Sequence, residues 1–293
     1  MNGIIIKAIA GFYYVDTGDT VIECKARGKF RKGLSPLTGD KVEISVQDNA
    51  GTIERIFDRK NALVRPPLAN LDLLFIIAST GDPAPNYFVI DKLTVYAEHC
   101  GITPVIVANK PDIAPPDELL EIYKSAGYRT IRASGNNGDG AGEIRDMING
   151  RICAFTGNSG VGKSSILNHI MPSLSLETAH TSKKLGRGRH TTRHTELFRC
   201  GGGYIADTPG FSSFELQDEL FIRKESIANC FPEFEPFIGE CKFTSCSHTG
   251  EKGCAISSAA EDGRIAKSRF ESYVRMYRDA AKIPEWELNK RKQ

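Results

Sequence analysis

The chain has 293 residues, 38 Lys and Arg against 36 Asp and Glu, a net charge near +2 and 40% hydrophobic residues. That balance is too apolar for a disordered chain, and the length allows no more than about two or three domains. The longest unbroken apolar run, Leu73 to Ala78, is too short for a membrane span, and Lys7 interrupts the apolar N-terminus before a signal-peptide core can form. The expectation is a cytoplasmic protein with no membrane contact, and a monomer, since no heptad pattern or self-complementary strand is evident.

From Met1 to about residue 65 the pattern is short strands and turns. Gly11 to Val15, Val21 to Cys24, Asp40 to Ile44 and Gly51 to Ile56 have strand character, with Thr17-Gly18-Asp19 as a turn. This spacing predicts a small OB-type β-barrel over 1–65. Lys25 to Lys32 holds five cations with Phe30 among them, as an RNA-binding loop of such a barrel would, although the charge run by itself reads first as a solvated turn.

Pro66-Pro67 marks a boundary, after which strands and helices alternate, predicting an α/β domain over 66–220 with an open, mostly parallel sheet. Strands are expected at Leu73 to Ala78, Pro104 to Ala108, Thr130 to Ala133, Arg151 to Thr156, Glu196 to Arg199 and Gly203 to Ala206. Phe88, Ile90, Leu93, Tyr96, Ala97 and Cys100 recur at helical spacing. Residues 221–293 combine a Cys/His cluster with a basic helical tail, in which Arg264, Lys267, Arg275 and Arg278 recur at near-helical intervals, and predict a mainly helical zinc-binding domain.

The strongest chemical signal is Gly157-Asn158-Ser159-Gly160-Val161-Gly162-Lys163-Ser164, a P-loop between the strand Ile152 to Phe155 and the helical stretch Ser165 to Ile170. Its glycines let backbone N–H groups and a helix N-terminus face phosphates. Lys163 neutralises the outer phosphates, and the Ser164 hydroxyl takes a Mg2+ position. Asn109-Lys110-Pro111-Asp112 ends a strand at the sheet edge where ligands bind, and narrows the nucleotide to guanine. Asp112 accepts from guanine N1 and N2, Asn109 meets the opposite edge and Lys110 lies along the base. Adenine would leave a buried carboxylate unpaired, a cost of several kcal/mol, which corresponds to about a thousandfold preference. Asp207-Thr208-Pro209-Gly210 follows a strand downstream of the P-loop, so that Asp207 reaches the Mg2+ shell and the Gly210 N–H a γ-phosphate. Between them, residues 185–193 are basic, polar and glycine-rich, as a switch loop is; Thr192, or secondarily Thr191, completes the Mg2+ shell.

Cys241, Cys246, His248 and Cys254 have the separations of a compact single-ion site with three thiolates and one imidazole, a set that zinc favours. We expect a structural zinc, with Glu240 and Glu251 outside the ligand set. Cys24, Cys100, Cys153, Cys200 and Cys230 read as core or neutral positions.

The guanine motif at 109 precedes the P-loop at 157, the reverse of the usual order. With a barrel before and a zinc cluster after, the chain resembles the RsgA (YjeQ/YloQ) family of circularly permuted GTPases. The resemblance implies an OB domain, a GTPase core and a C-terminal zinc domain acting late in maturation of the small ribosomal subunit, with its rRNA as partner and the ribosome as stimulator. Where such GTPases often show Ser-Ala as the second base contact, this chain has Ala133-Ser134-Gly135, and Ser134 is the residue assigned to it. Ras-like enzymes place a glutamine after the Asp-to-Gly motif to orient water; here Phe211 stands there. His190 is the candidate to replace it, both from its chemistry near neutral pH and because the resemblance points to a histidine before paired threonines. His190, Lys163 and Thr192 are thus the catalytic candidates, and Ser165 joins the nucleotide-binding set. Slow intrinsic turnover of about 10^-4 to 10^-2 per second is expected without a partner. Two other readings are a nucleotide-gated RNA-binding sensor with incidental hydrolysis, and a P-loop kinase for a small molecule.

Overall fold

The computed structural model describes residues 1–31, 34–47, 50–64, 66–174, 195–207, 222–284 and 286. Strands β1 (Asn2–Ile9), β2 (Phe12–Asp16), β3 (Val21–Ala26), β4 (Lys41–Gln47) and β5 (Ala50–Ile56) close into a barrel in the order β1-β2-β3-β5-β4-β1. Only β3 and β5 run parallel; this is the five-stranded architecture of an OB-type barrel. Ile5, Val15, Cys24, Val42, Ile44 and Ile53 fill its core. β1 carries no alternation in sequence because both faces are covered. Ile5 points into the barrel, while Ile4 and Ile6 pack on the neighbouring α/β core.

The connection to the second unit is firmly tied. β6 (Ala62–Leu63) and β7 (Leu68–Ala69) form a short hairpin around Pro66-Pro67. Before it, Arg59 forks onto the buried Asp40 at 2.6 and 2.8 Å. Asn61 then pairs through both ends of its amide with the backbone of Leu71.

The α/β sheet comprises β8 (Leu73–Ser79), β9 (Thr103–Asn109), β10 (Arg129–Arg132), β11 (Ile152–Thr156), β12 (Glu196–Cys200) and β13 (Gly203–Asp207), ordered β10-β9-β8-β11-β13-β12. Every pair is parallel except β12 with β13. Helices cover both faces, which is why β8 is apolar without a break from Leu73 to Ala78. Leu74, Ile76 and Ala78 face α1 (Tyr87–His99) and α2 (Asp117–Ser125), whereas Leu73, Phe75 and Ile77 face α3 (Ala141–Ile148) and α4 (Lys163–Ile170). Among the described residues one bridge, Lys7 opposite Glu196, joins β12 to β1, so barrel and core share one continuous ladder.

The C-terminal unit contains α5 (Lys224–Ile227), 3-10 turns at Ala228–Cys230 and Pro232–Phe237, α6 (Ala255–Glu261) and α7 (Lys267–Ala281). Its core of Phe231, Phe234, Ile256, Ala259, Tyr273 and Met276 includes Val95 of α1. α1 is therefore sandwiched between the sheet and this unit. Arg269, fully buried on α7, fastens the junction. It donates to Asp91 and Thr94 of α1 at 2.8 and 3.0 Å and to Glu233 at 2.7 Å, and lies 4.5 Å from the Phe231 ring centroid. Arg269→Ala would leave Asp91 and Glu233 buried without their cation, and is expected to lower stability by about 3–5 kcal/mol. Calorimetry should show the C-terminal unit melting earlier; an unchanged trace would contradict a fastening role for Arg269.

Candidate functional site

The turn at Asn109, the Ala133–Gly135 loop and the P-loop converge at the C-terminal edge of the parallel strands, where an open α/β sheet leaves backbone groups free to meet a ligand. β11 leads into the P-loop and α4 leaves it. Gly162 has φ +91, and a Cβ there would lie 2.2 Å from the Asn109 Nδ2; a Cβ on Gly157 would lie 2.4 Å from the Ile77 carbonyl oxygen. Only glycine lets the loop approach its neighbours so closely while turning its N–H groups to one side, and the resulting concave cradle fits phosphate. Lys163 Nζ donates to the Gly157 carbonyl at 3.1 Å, and burial lowers the lysine's pKa. An anion in the cradle would supply the charge that this ammonium lacks. Ser164 is half-buried in the first turn of α4.

Asn109 binds three loops together. Its Nδ2 donates to the Val161 carbonyl at 2.7 Å, and its Oδ1 accepts from the Gly135 N–H at 2.8 Å. An amide nitrogen carries two hydrogens, so one remains for the purine edge. Lys110 takes a left-handed conformation (φ 64), and its ammonium donates to the Asp82 carbonyl. Thr80 contributes a feature that sequence reading missed. Its N–H donates to the Asn109 carbonyl at 2.9 Å, and its hydroxyl bonds to the Lys110 carbonyl at 2.9 Å, fixing the turn that presents Pro111 and Asp112. The one available signal was its place directly after β8, next to Ser79 at the end of the apolar run.

Two expectations need revision. Asp112 is exposed rather than buried, so its penalty against adenine arises only once a base covers it. Ser134 is engaged within its own loop. Its N–H donates to the Asp139 carbonyl at 2.9 Å, and its hydroxyl accepts from the N–H groups of Asn136 and Asn137 at 3.3 and 3.4 Å. Gly135 is the residue tied to Asn109. Ser165 lies beneath that loop, 2.8 Å from where a Gly135 Cβ would sit. Asn158, Ser159 and Gly160 complete the P-loop. Asp207 ends β13 with its backbone opposite Glu196. His190, Thr191, Thr192 and Gly210 lie outside the described residues.

In the C-terminal unit, Cys241, Cys246, His248 and Cys254 bring their ligand atoms within 4.8 Å of one another. Cys241 Sγ and Cys254 Sγ lie 3.9 Å apart, and they lie 3.4 and 3.6 Å from His248 Nδ1. A tetrahedral zinc with bonds of about 2.3 Å to sulfur and about 2.05 Å to nitrogen requires edges of about 3.8 and about 3.5 Å. The donor set therefore fits zinc in its chemistry, and Cys241, His248 and Cys254 fit it in their spacing. The Ala255 and Ser257 N–H groups donate to Cys241 Sγ and Cys254 Sγ, as they would to thiolates. Burial lowers the His248 pKa, favouring the neutral ligand form. Glu251 is more than a bystander. It accepts from the Ser247 and Thr249 N–H groups at 2.9 and 2.7 Å, bracing the loop in which His248 has φ 57. Although burial acts to raise its pKa, the hydrogen bonds from Ser247 and the loop amides hold Glu251 at about 2.

The fold and site define a circularly permuted P-loop nucleotide-binding core between an OB-type barrel and a metal-knuckle unit. Residues 56–217 match the RsgA GTPase model and residues 2–53 the RsgA N-terminal domain. The small ribosomal subunit biogenesis GTPase RsgA of Clostridium beijerinckii is 42% identical, covering 99% of this chain and all of that protein. The crystal structure of YjeQ from Thermotoga maritima matches with TM-score 0.81 and 33% identity over 97% of this chain and 99% of that one. That of YloQ, a circularly permuted GTPase, gives 0.80 and 35% over 97% and 96%. The chain belongs to the RsgA GTPase family.

Proposed function

We propose that this chain hydrolyses GTP to GDP and phosphate and acts in biogenesis of the small ribosomal subunit, as its relatives are named for doing. It is organised as a barrel (1–65), a GTPase domain (66–220) and a zinc-binding domain (221–293). The observation that carries the reading is Asn109, whose amide joins the base-recognition turn, the P-loop and the Ala133–Gly135 loop into one site. Asp112 accepts from guanine N1 and N2. The P-loop N–H groups and Lys163 hold the phosphates, and Ser164, Thr192 and Asp207 are the residues that would hold Mg2+, which neutralises developing charge on the phosphates. Gly210 meets the γ-phosphate, and His190 orients the attacking water in place of the absent glutamine.

rRNA is the surface the protein holds. Phe12, Tyr13, Lys25, Phe30 and Pro36 line a groove on the barrel, with the Lys25 ammonium 5.1 Å from the Phe12 ring centroid. Aromatic faces beside cations suit stacked, unpaired bases. On α7 not every cation serves RNA, because Arg275 stacks over Phe88 of α1, 3.8 Å from its centroid. Among the described residues no helix is long and apolar enough to cross a membrane. A cytoplasmic monomer completes the reading, with one structural zinc.

The test is GTP turnover alone and with small ribosomal subunits at fixed salt, with ATP as control. Stimulation with GTP only is expected. His190→Ala should remove about a hundredfold or more of the stimulated rate while keeping GTP binding. Tight GTP binding without stimulation would favour the sensor, and ATP turnover would overturn the guanine assignment.

A further inference from the structure

The β12–β13 hairpin is flanked in sequence by the two motifs assigned to the Mg2+ shell and γ-phosphate. Glu196 pairs with Asp207 at its open end, and Cys200 pairs with Gly203 at the turn. In sequence, residues 186–192 lead into the open end on one side, and residues 207–210 leave it on the other.

The barrel grips this hairpin at two levels. Near the open end, Thr38 Oγ1 donates to the Thr195 carbonyl at 3.2 Å, and Lys7 Nζ lies 2.8 Å from Glu196. Toward the turn, Arg199 forks through Nε and Nη2 onto both carboxylate oxygens of Asp16, and Nη2 also reaches the Gly18 carbonyl. The Tyr204 hydroxyl donates to Asp16 Oδ2 at 3.0 Å. Asp16 is buried and Arg199 half-exposed. The fork holds the Asp16 pKa below its ordinary value, so the pair stays charged at neutral pH.

Backbone pairing alone leaves this junction weakly specified. Among the described residues β1 and β12 share one bridge pair, whereas β1 and β2 share five. An ion pair with a half-exposed partner adds little stability, but a bidentate fork admits one orientation. These contacts therefore fix the hairpin's position on the barrel more than they hold the protein together.

We propose that Asp16, Thr38 and Arg199 are positioning residues for stimulated GTP hydrolysis, coupling what the barrel binds to the placement of the β12–β13 hairpin and the motifs at its open end. The inference rests on the ribosome-stimulated reading above. It requires that loosening the clamp impair the stimulated step without impairing nucleotide binding, because none of the three residues belongs to the nucleotide site.

The experiment compares full-length wild type, Arg199→Gln and Thr38→Val in GTP turnover with and without small ribosomal subunits, together with GTP affinity, subunit affinity and melting temperature. Basal turnover and both affinities should stay within about twofold of wild type. Stimulated kcat should fall about tenfold in Arg199→Gln and about threefold in the isosteric Thr38→Val. Arg199→Lys, which keeps the charge without the fork, should fall between Arg199→Gln and wild type. Should Arg199→Gln fail to fold, Thr38→Val carries the comparison alone. Full stimulation in the variants, or a fall explained by lost subunit affinity, would overturn the inference. A wild type that shows no stimulation would overturn the ribosome reading, and the inference with it.

Discussion

Asp112→Asn is expected to shift nucleotide preference from guanine toward xanthine, with GTP affinity falling by about a hundredfold or more. A carboxylate accepts from both the N1 and N2 donors of guanine. An amide accepts one of them and presents its own N–H to the other, leaving donor against donor. Xanthine has a carbonyl at that carbon and pairs with the amide. The turn that carries Asp112 should survive the exchange, because it is held by Thr80 and Asn109 and because Asp112 is exposed in the free protein. Competition between GTP and XTP for a fluorescent nucleotide reads the effect directly. An unchanged preference for GTP would mean that the base is recognised elsewhere.

Cys254→Ser should have a comparably large effect on the C-terminal unit. Cys254 is both a metal-ligand candidate and the N-cap of α6, its sulfur accepting from the Ser257 N–H. Serine keeps a capping acceptor but not a thiolate, so the exchange separates metal loss from cap loss. Structural zinc sites contribute on the order of 10 kcal/mol to folding, more than a unit of this size is expected to spare. The variant should hold less than one zinc per chain and lose its cooperative C-terminal transition, while the GTP-stabilised transition of the core persists. One tightly held zinc and native melting in the variant would rule out the ligand role. Because Arg269 links α7 to α1, metal loss should also increase hydrogen exchange along Tyr87–His99.

The fold was legible because its parts announce themselves locally. The doubly covered sheet produces the apolar run of β8, and the glycines of the P-loop stand where backbone must approach backbone. The order of the two nucleotide motifs revealed the permutation, and the Cys/His spacing revealed the candidate metal cluster. What sequence could not show depends on partners distant along the chain. Ile4, Ile5 and Ile6 do not alternate, because each face of β1 meets a different core. Arg269 is a charged residue at a core position, made tolerable only by Asp91 and Glu233, which lie 178 and 36 residues away. Ser134 looked like a base contact because its neighbours fit one, yet its hydroxyl is occupied by amides two and three residues ahead.

The one-bridge seam between β1 and β12 also sets a schedule for the newborn chain. Lys7 and Glu196 are 189 residues apart, an interval that takes roughly 10 to 40 s to synthesise at ordinary elongation rates. The barrel can close within its first 56 residues, long before β12 exists, and until then the edge of β1 beyond its β4 pairing at Asn2–Ile4 has no strand to pair with. A bare edge invites pairing with another nascent chain, and a charged side chain there discourages it. Lys7 interrupts the apolar stretch Ile4 to Ile9 at the very position that later receives Glu196, so the cation that finally locks the seam is also the guard that keeps it vacant for its own partner.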